Sequence, residues 1–171
     1  MKYYKSFITE ALGEEVKPQL DLKPEVNNVM IENLKALLSD LHIVLIKVHN
    51  FHWNVGNSPF FGPLHKLFDD VFDHVGGHID KVAERIRAIG GVAPGSMREF
   101  LEMTTLQEDP GMLRPCQEML TKLVADLEHL SIAGRTIIDR ADDDQGTINL
   151  LAGFVEDIDK DAWFLRSHIE G

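Results

Sequence analysis

Apolar residues in this chain recur every three or four positions over four long stretches and nowhere alternate in twos, which predicts helices and no strands. From Val26 onward, Met30, Leu34, Leu37, Leu41, Leu45 and Val48 mark one side of a long amphipathic helix ending near Asn54–Gly56. Ser58-Pro59 offers a capping side chain followed by a first-turn proline. A second helix follows, with Leu64, Phe68, Val71, Val75, Val82, Ile86 and Ile89 on one side and a stop at Gly90-Gly91. Gly76-Gly77 fall in its middle and mark a bend or a close helix crossing. Ser96 and Glu99 have capping-box spacing for a short helix through about Met103.

The third long helix can start at Asp109-Pro110, although Pro115 places its regular part a few residues later. Cys116, Leu120, Leu123, Leu127, Leu130, Ile137 and Ile138 form its apolar side, and Asp142-Asp143-Asp144 ends it as a solvated turn. Thr147 is placed to cap the fourth, which buries Leu151, Phe154, Ile158, Ala162 and Leu165. The expected fold is all-α: a four-helix bundle with a short extra helix linking the second and third helices. Residues 1–25, with weak periodicity and two prolines, read as an N-terminal tail with at most one short helical piece; residues 26–171 read as the bundle domain.

Composition narrows the functions. The 171 residues suit one domain with a real core. A net charge of −11 argues against a generally basic, DNA-binding surface and favours attraction of cations. The single cysteine, Cys116, excludes an internal disulfide and any multi-cysteine metal site. The N-terminus lacks the apolar run of a signal peptide, and no stretch reaches the length of a membrane span, so a cytoplasmic protein is expected.

The candidate chemistry is concentrated between Val48 and Gly91, which hold five of the eight histidines. His65 and Asp69 are four apart, as are Asp80 and Glu84. Measured around a helix from His65, Asp69 falls at about 40°, Asp80 at about 60° and Glu84 at about 100°, all on one strip. His65 and Asp80 are nevertheless separated by about 22 Å along the axis, too far for one ion with ligands at about 2.0–2.2 Å. An antiparallel copy of the helix across a twofold axis would bring His65 and Asp69 of one chain opposite Asp80 and Glu84 of the other, twice per pair.

In an antiparallel hairpin of the first two helices, His52 and His65 lie equally near the turn. Imidazoles with carboxylates suit iron or zinc better than calcium or magnesium. No Glu-x-x-His occurs, which excludes the usual di-iron site inside a bundle and leaves one on its flank. Each element also has a plainer reading. His52 alone is a hydrogen-bonded residue at an apolar edge; each i,i+4 pair is a solvated surface pair. His49, His74 and His78 are exposed or helix-interface residues, and Trp53 and Trp163 are core or interface aromatics.

The motifs His-Asn-Phe-His-Trp-Asn-Val (49–55), Leu-His-Lys-Leu-Phe-Asp (64–69), Asp-Lys-Val-Ala-Glu-Arg (80–85) and Ile-Gly-Gly (89–91) resemble those of the Dps family. These are the miniferritins, DNA-binding proteins from starved cells, and the resemblance runs from about Val26 to the C-terminus. It implies a ferritin-like four-helix bundle, a hollow dodecamer and a ferroxidase centre shared across the twofold interface. His52, His65 and Asp69 of one subunit would meet Asp80 and Glu84 of its mate, as catalytic and metal ligands of a di-iron centre, with zinc as a substitute metal. It further implies Fe(II) oxidation, preferably by hydrogen peroxide, ferric oxide stored in the cavity, and Trp53 intercepting stray oxidising equivalents.

Two features depart from the family pattern. In the tail, Lys2, Lys5, Lys17 and Lys23 are offset by Glu10, Glu14, Glu15, Asp21 and Glu25, so DNA binding is expected to be weak or absent. Asn149 stands where an iron pore is often acidic; Asp143, Asp144, Glu156 or Asp157 could line it instead. The competing expectation is a nucleoid-binding structural dodecamer whose metal site is vestigial or filled with zinc.

Overall fold

The computed structural model describes Pro18, Leu20, residues 22–56 and residues 59–169; the tail reading falls almost wholly outside them. Its helices are α1 (Pro24–Asn54), α2 (Phe61–Ala88), α3 (Met97–Met103), α4 (Cys116–Arg140) and α5 (Gln145–Arg166). Among the described residues there is no strand. The chain is thus the four-helix bundle with a short linking helix that its periodicity predicts.

The apolar stripes converge as expected. Phe51, Phe68 and Phe154 are fully buried together with inward-facing aliphatic residues of all four long helices, among them Leu34, Val71, Leu127 and Ile158. Each such side chain is worth about 1.5–3 kcal/mol of transfer free energy. Contacts near their ends show α1 and α2 to be antiparallel: His52 meets His65, and Asn27 Nδ2 donates to the carbonyl of Ile89 at 2.9 Å. The α4–α5 pair is likewise antiparallel, with Ser131 and Arg135 both bonded to Asp159 and Arg166 to Glu128. Gly134 permits that crossing, since a Cβ there would lie 2.9 Å from Val155 Cγ2 and 3.0 Å from the Phe154 ring.

The connection from α2 to α4 runs back along α1. Phe100 of α3 stacks on His42 at 3.7 Å. Asp40, almost fully buried, accepts from the Thr104 hydroxyl (2.6 Å), the Thr105 amide (2.6 Å) and the Thr105 hydroxyl (2.8 Å). Asn50 Nδ2 donates to the carbonyl of Asp109 at 3.1 Å. A buried Lys47–Asp126 pair at 2.6 Å joins α1 to α4. Burial pushes the Asp126 carboxyl up, against the pull of Lys47.

Helix ends account for most differences from the sequence reading. Ser58 lies outside the described residues, and Pro59 sits in a turn before α2, whose N-cap Phe60 supplies no side-chain bond. Of the two possible starts for α4, the later holds: it begins at Cys116, while Asp109 pairs with Arg114 and Lys122. The cap of α5 is Asp144 rather than Thr147; Thr147 donates its amide to Asp144 Oδ1 at 3.0 Å. The Asp142–Asp144 run is therefore only partly a solvated turn, because Asp144 is buried.

The capping box at Ser96 and Glu99 is present, and Gly90 ends α2 at φ +89° as the glycine pair predicts. Through Gly76-Gly77, however, α2 runs unbroken and makes no close crossing among the described residues. A Cβ at Gly76 would be in ordinary contact with Leu45 at 3.7 Å, and one at Gly77 would meet nothing within 4 Å. Trp53 and Trp163 are 68% and 56% exposed, so neither belongs to the core of this chain.

Candidate metal centre

The turn between α1 and α2 puts two imidazoles face to face. His52 is in the last turn of α1 and His65 in the second turn of α2; their rings stack at 3.8 Å with 24° between planes. His52 Nδ1 lies 3.0 Å from the carbonyl of His65, and His65 Nδ1 lies 3.0 Å from the carbonyl of His52. The His52 carbonyl, in the last turn of α1, has no helical partner and is free to accept. That of His65, inside α2, accepts from the imidazole in addition to its place in the helix. A carbonyl only accepts, so each Nδ1 carries a proton and Nε2 is the atom left to offer a metal its lone pair. Such backbone bonds fix the tautomer and orientation of a metal-binding histidine.

Asp69 follows His65 by one turn and is half-buried; Asp80 and Glu84 lie further along the same helix, both exposed. Neighbouring acids on α2 and α5 are paired: Asp70 with Lys66, Asp157 with His78, Asp159 with Arg135 and Asp161 with His74. Asp69, Asp80 and Glu84 have no hydrogen bond or ion pair among the described residues. Among those residues, no three His, Cys, Asp or Glu side chains converge into a metal cage. The fold therefore brings His52 to His65, with Asp69 one turn on, and leaves Asp80 and Glu84 at the other end of an unbroken helix. Two imidazole lone pairs with one carboxylate a turn away are donors of a kind that suits Fe(II) or Zn(II).

The remaining histidines of this stretch have structural partners. His49 packs on Trp53 and Phe72 at 4.0 and 4.2 Å between centroids. His74 Nδ1 lies 2.9 Å from Asp161 Oδ1, and His78 Nε2 lies 3.2 Å from Asp157 Oδ2, so these pairs form rungs across the α2–α5 seam. Burial lowers the His78 pKa and raises that of Asp161. His78 is buried, where the sequence suggested an exposed or interface position, and its seat is the interface. Arg85 is the residue that sequence reasoning passed over: it follows Glu84 and binds Asp144 and Thr147 of α5. The available signal was its position near the end of a helix otherwise rich in acids.

The architecture is that of a ferritin-like domain, and that family matches residues 31–171. The chain belongs to it, and within it to the Dps family of miniferritins. It is 34% identical to the DNA protection during starvation protein 2 of Bacillus anthracis, over 84% of this chain and 99% of that one. It is 37% identical to an uncharacterised low temperature-induced protein of Nostoc sp., over 89% and 86% of the two chains. A Dps crystal structure from Bacillus brevis superposes with a TM-score of 0.81 at 30% identity, over 87% of this chain and all (100%) of that one. A Dps structure from Listeria innocua soaked with zinc gives 0.76 at 31% identity, over 81% and 94%. No helix among the described residues is long and apolar enough to cross a membrane.

Proposed function

We propose that this chain is an iron-storing and detoxifying miniferritin, acting as a ferroxidase at a centre shared between twofold-related subunits. His52, His65 and Asp69 of one subunit face Asp80 and Glu84 of the next, and the dimers assemble into a hollow cytoplasmic dodecamer that holds ferric oxide. The observation that carries this reading is the reciprocal His52–His65 lock. It presents two Nε2 lone pairs at one end of a helix that bears three carboxylates with no partner among the described residues. A half-site of two imidazoles and one carboxylate needs further donors, and the opposite end of α2 offers two of matching chemistry.

Fe(II) is the substrate. Two ions held side by side give up one electron each, reducing one hydrogen peroxide to two waters with the uptake of two protons. The paired delivery of electrons avoids hydroxyl radical. His52 and His65 bind through Nε2 while each Nδ1–H donates to a backbone carbonyl, which holds the ring in place. The carboxylates favour the harder Fe(III) product. Zinc fits the same donors and would compete. The test is to add Fe(II) anaerobically, then peroxide, and follow ferric absorbance: Asp80→Ala and Glu84→Ala should each abolish the fast phase. Unchanged kinetics in both would remove the assignment.

The names of the relatives favour a second reading, a DNA-protecting structural shell. The net charge of −11 opposes it, since few cations are available to displace counterions from phosphate. Retardation of duplex DNA in a low-salt gel would support that reading.

A further inference from the structure

Arg85 sits directly after Glu84, yet its side chain serves another helix. Successive residues of a helix point about 100° apart, so these two neighbours face different partners. Arg85 Nε donates to Thr147 Oγ1 at 2.9 Å, and Nη2 donates to Asp144 Oδ1 at 2.5 Å. Asp144 is also the N-cap of α5, accepting from the Thr147 amide at 3.0 Å and from the Thr147 hydroxyl at 2.5 Å. Beneath the guanidinium is bare backbone: a Cβ at Gly146 would lie 2.7 Å from Arg85 Nη1 and 2.9 Å from Cζ. The arginine fork, the capping carboxylate and the glycine thus form one clamp between the last turns of α2 and the first turn of α5.

Resting on the shared-centre reading, we propose that Arg85 is a positioning residue, holding the α2 end so that Asp80 and Glu84 stand where the partner subunit's histidine pair requires. The need is physical. Both carboxylates are exposed on the strip side of α2, and no described residue of the chain engages them there. Their position is set from another side of the helix, and metal–ligand distances tolerate errors of only about 0.2 Å. Burial pushes the Asp144 carboxyl up, but its bonds to Arg85 and Thr147 outweigh this and hold it below the usual range. The arginine charge is thereby matched locally and does not oppose cations approaching Glu84.

Gly146→Ala tests this without changing a charge. Alanine is the better helix former, so α5 itself is not weakened; the added methyl displaces the guanidinium. Co(II) is titrated anaerobically into the assembled protein, its visible absorption reporting occupancy, for wild type, Gly146→Ala, Arg85→Gln, the double variant and Asp80→Ala. Gly146→Ala and Arg85→Gln should each weaken Co(II) binding by about tenfold, the scale of losing support behind a ligand. The KM for Fe(II) should rise with kcat nearly unchanged. In the double variant, Gly146→Ala should add nothing to Arg85→Gln.

Wild-type Co(II) affinity in Gly146→Ala, while Asp80→Ala loses binding, overturns the clamp alone. Fully additive losses in the double variant also overturn it, because the methyl would then act by another route. An unchanged Co(II) titration in Asp80→Ala overturns the shared centre and the clamp with it. Native mass is read alongside, and if Arg85→Gln fails to assemble, the Gly146→Ala result decides.

Discussion

His52 and His65 each offer Nδ1–H to the other's backbone carbonyl, at 3.0 Å in both directions. The two bonds join the last turn of one helix to an early turn of the next, so a connection without a side-chain cap on α2 is closed by its own metal-binding candidates. One pair of contacts sets the hairpin geometry, the tautomer and the direction of both lone pairs.

Structure and metal binding can be separated at this pair. In His65→Asn the amide N–H can still reach the His52 carbonyl, but no Nε2 remains. Its unfolding temperature should stay within a few degrees of wild type while Zn(II) and Co(II) titrations lose the site. His65→Ala should lose the site and also about 1 kcal/mol of stability, the net worth of the hydrogen bond. Wild-type Zn(II) affinity in His65→Asn would remove the histidine pair from the centre.

Asp144 gives a pH dependence of defined sign. Its folded pKa lies below the ordinary 3.8, because the bonds from Arg85 and Thr147 outweigh burial. The folded state therefore binds the proton less readily than the unfolded chain. The stabilisation is complete above the ordinary value and is lost as pH falls through the depressed one. Asp144→Asn should be less stable than wild type by about 1–3 kcal/mol near neutrality. Denaturant titrations should show that gap closing in strong acid. A gap independent of pH would mean that the carboxylate charge is not what counts.

Gly134 and Gly153 lie on the two helices of the α4–α5 pair but in opposite circumstances. A Cβ at Gly134 would be driven into Val155 and Phe154, whereas nothing lies within 4 Å of one at Gly153. Gly134→Ala should cost about 1–3 kcal/mol by overpacking. Gly153→Ala should be neutral or stabilise by up to about 1 kcal/mol through helix propensity. Thermal unfolding of the two variants checks how closely α4 and α5 cross; equal midpoints would mean that the crossing is loose.

Helix number, helix type and core faces were legible because apolar spacing acts at every turn: Leu151, Phe154, Ile158 and Leu165 are read from period alone and are all buried. Helix ends were less legible, since Asp144 and Thr147 are both good caps and only tertiary context chooses. Asp144 wins because Arg85 compensates its burial. Pairs such as Lys47–Asp126 or Asp40 with Thr104 and Thr105 join residues far apart in sequence, and periodicity holds no trace of them. At the candidate centre, spacing placed His65, Asp69, Asp80 and Glu84 on one strip. The reciprocal backbone bonds of the histidines depend on the path of the turn, which residue spacing does not encode. The exposed Trp53 and Trp163 show the opposite limit: composition favours burying tryptophan, and a single chain leaves both open.

On the proposed reading, each centre takes its histidines from one subunit and its last two carboxylates from another. Co-expression of His65→Ala subunits with Asp80→Ala/Glu84→Ala subunits tests it directly. Each variant alone should show no peroxide-driven Fe(II) oxidation. In a mixed shell, half the dimers pair unlike chains and rebuild one of two centres, so about a quarter of wild-type activity should return. Mixed shells of correct mass that stay as inactive as their parents would contradict the shared centre.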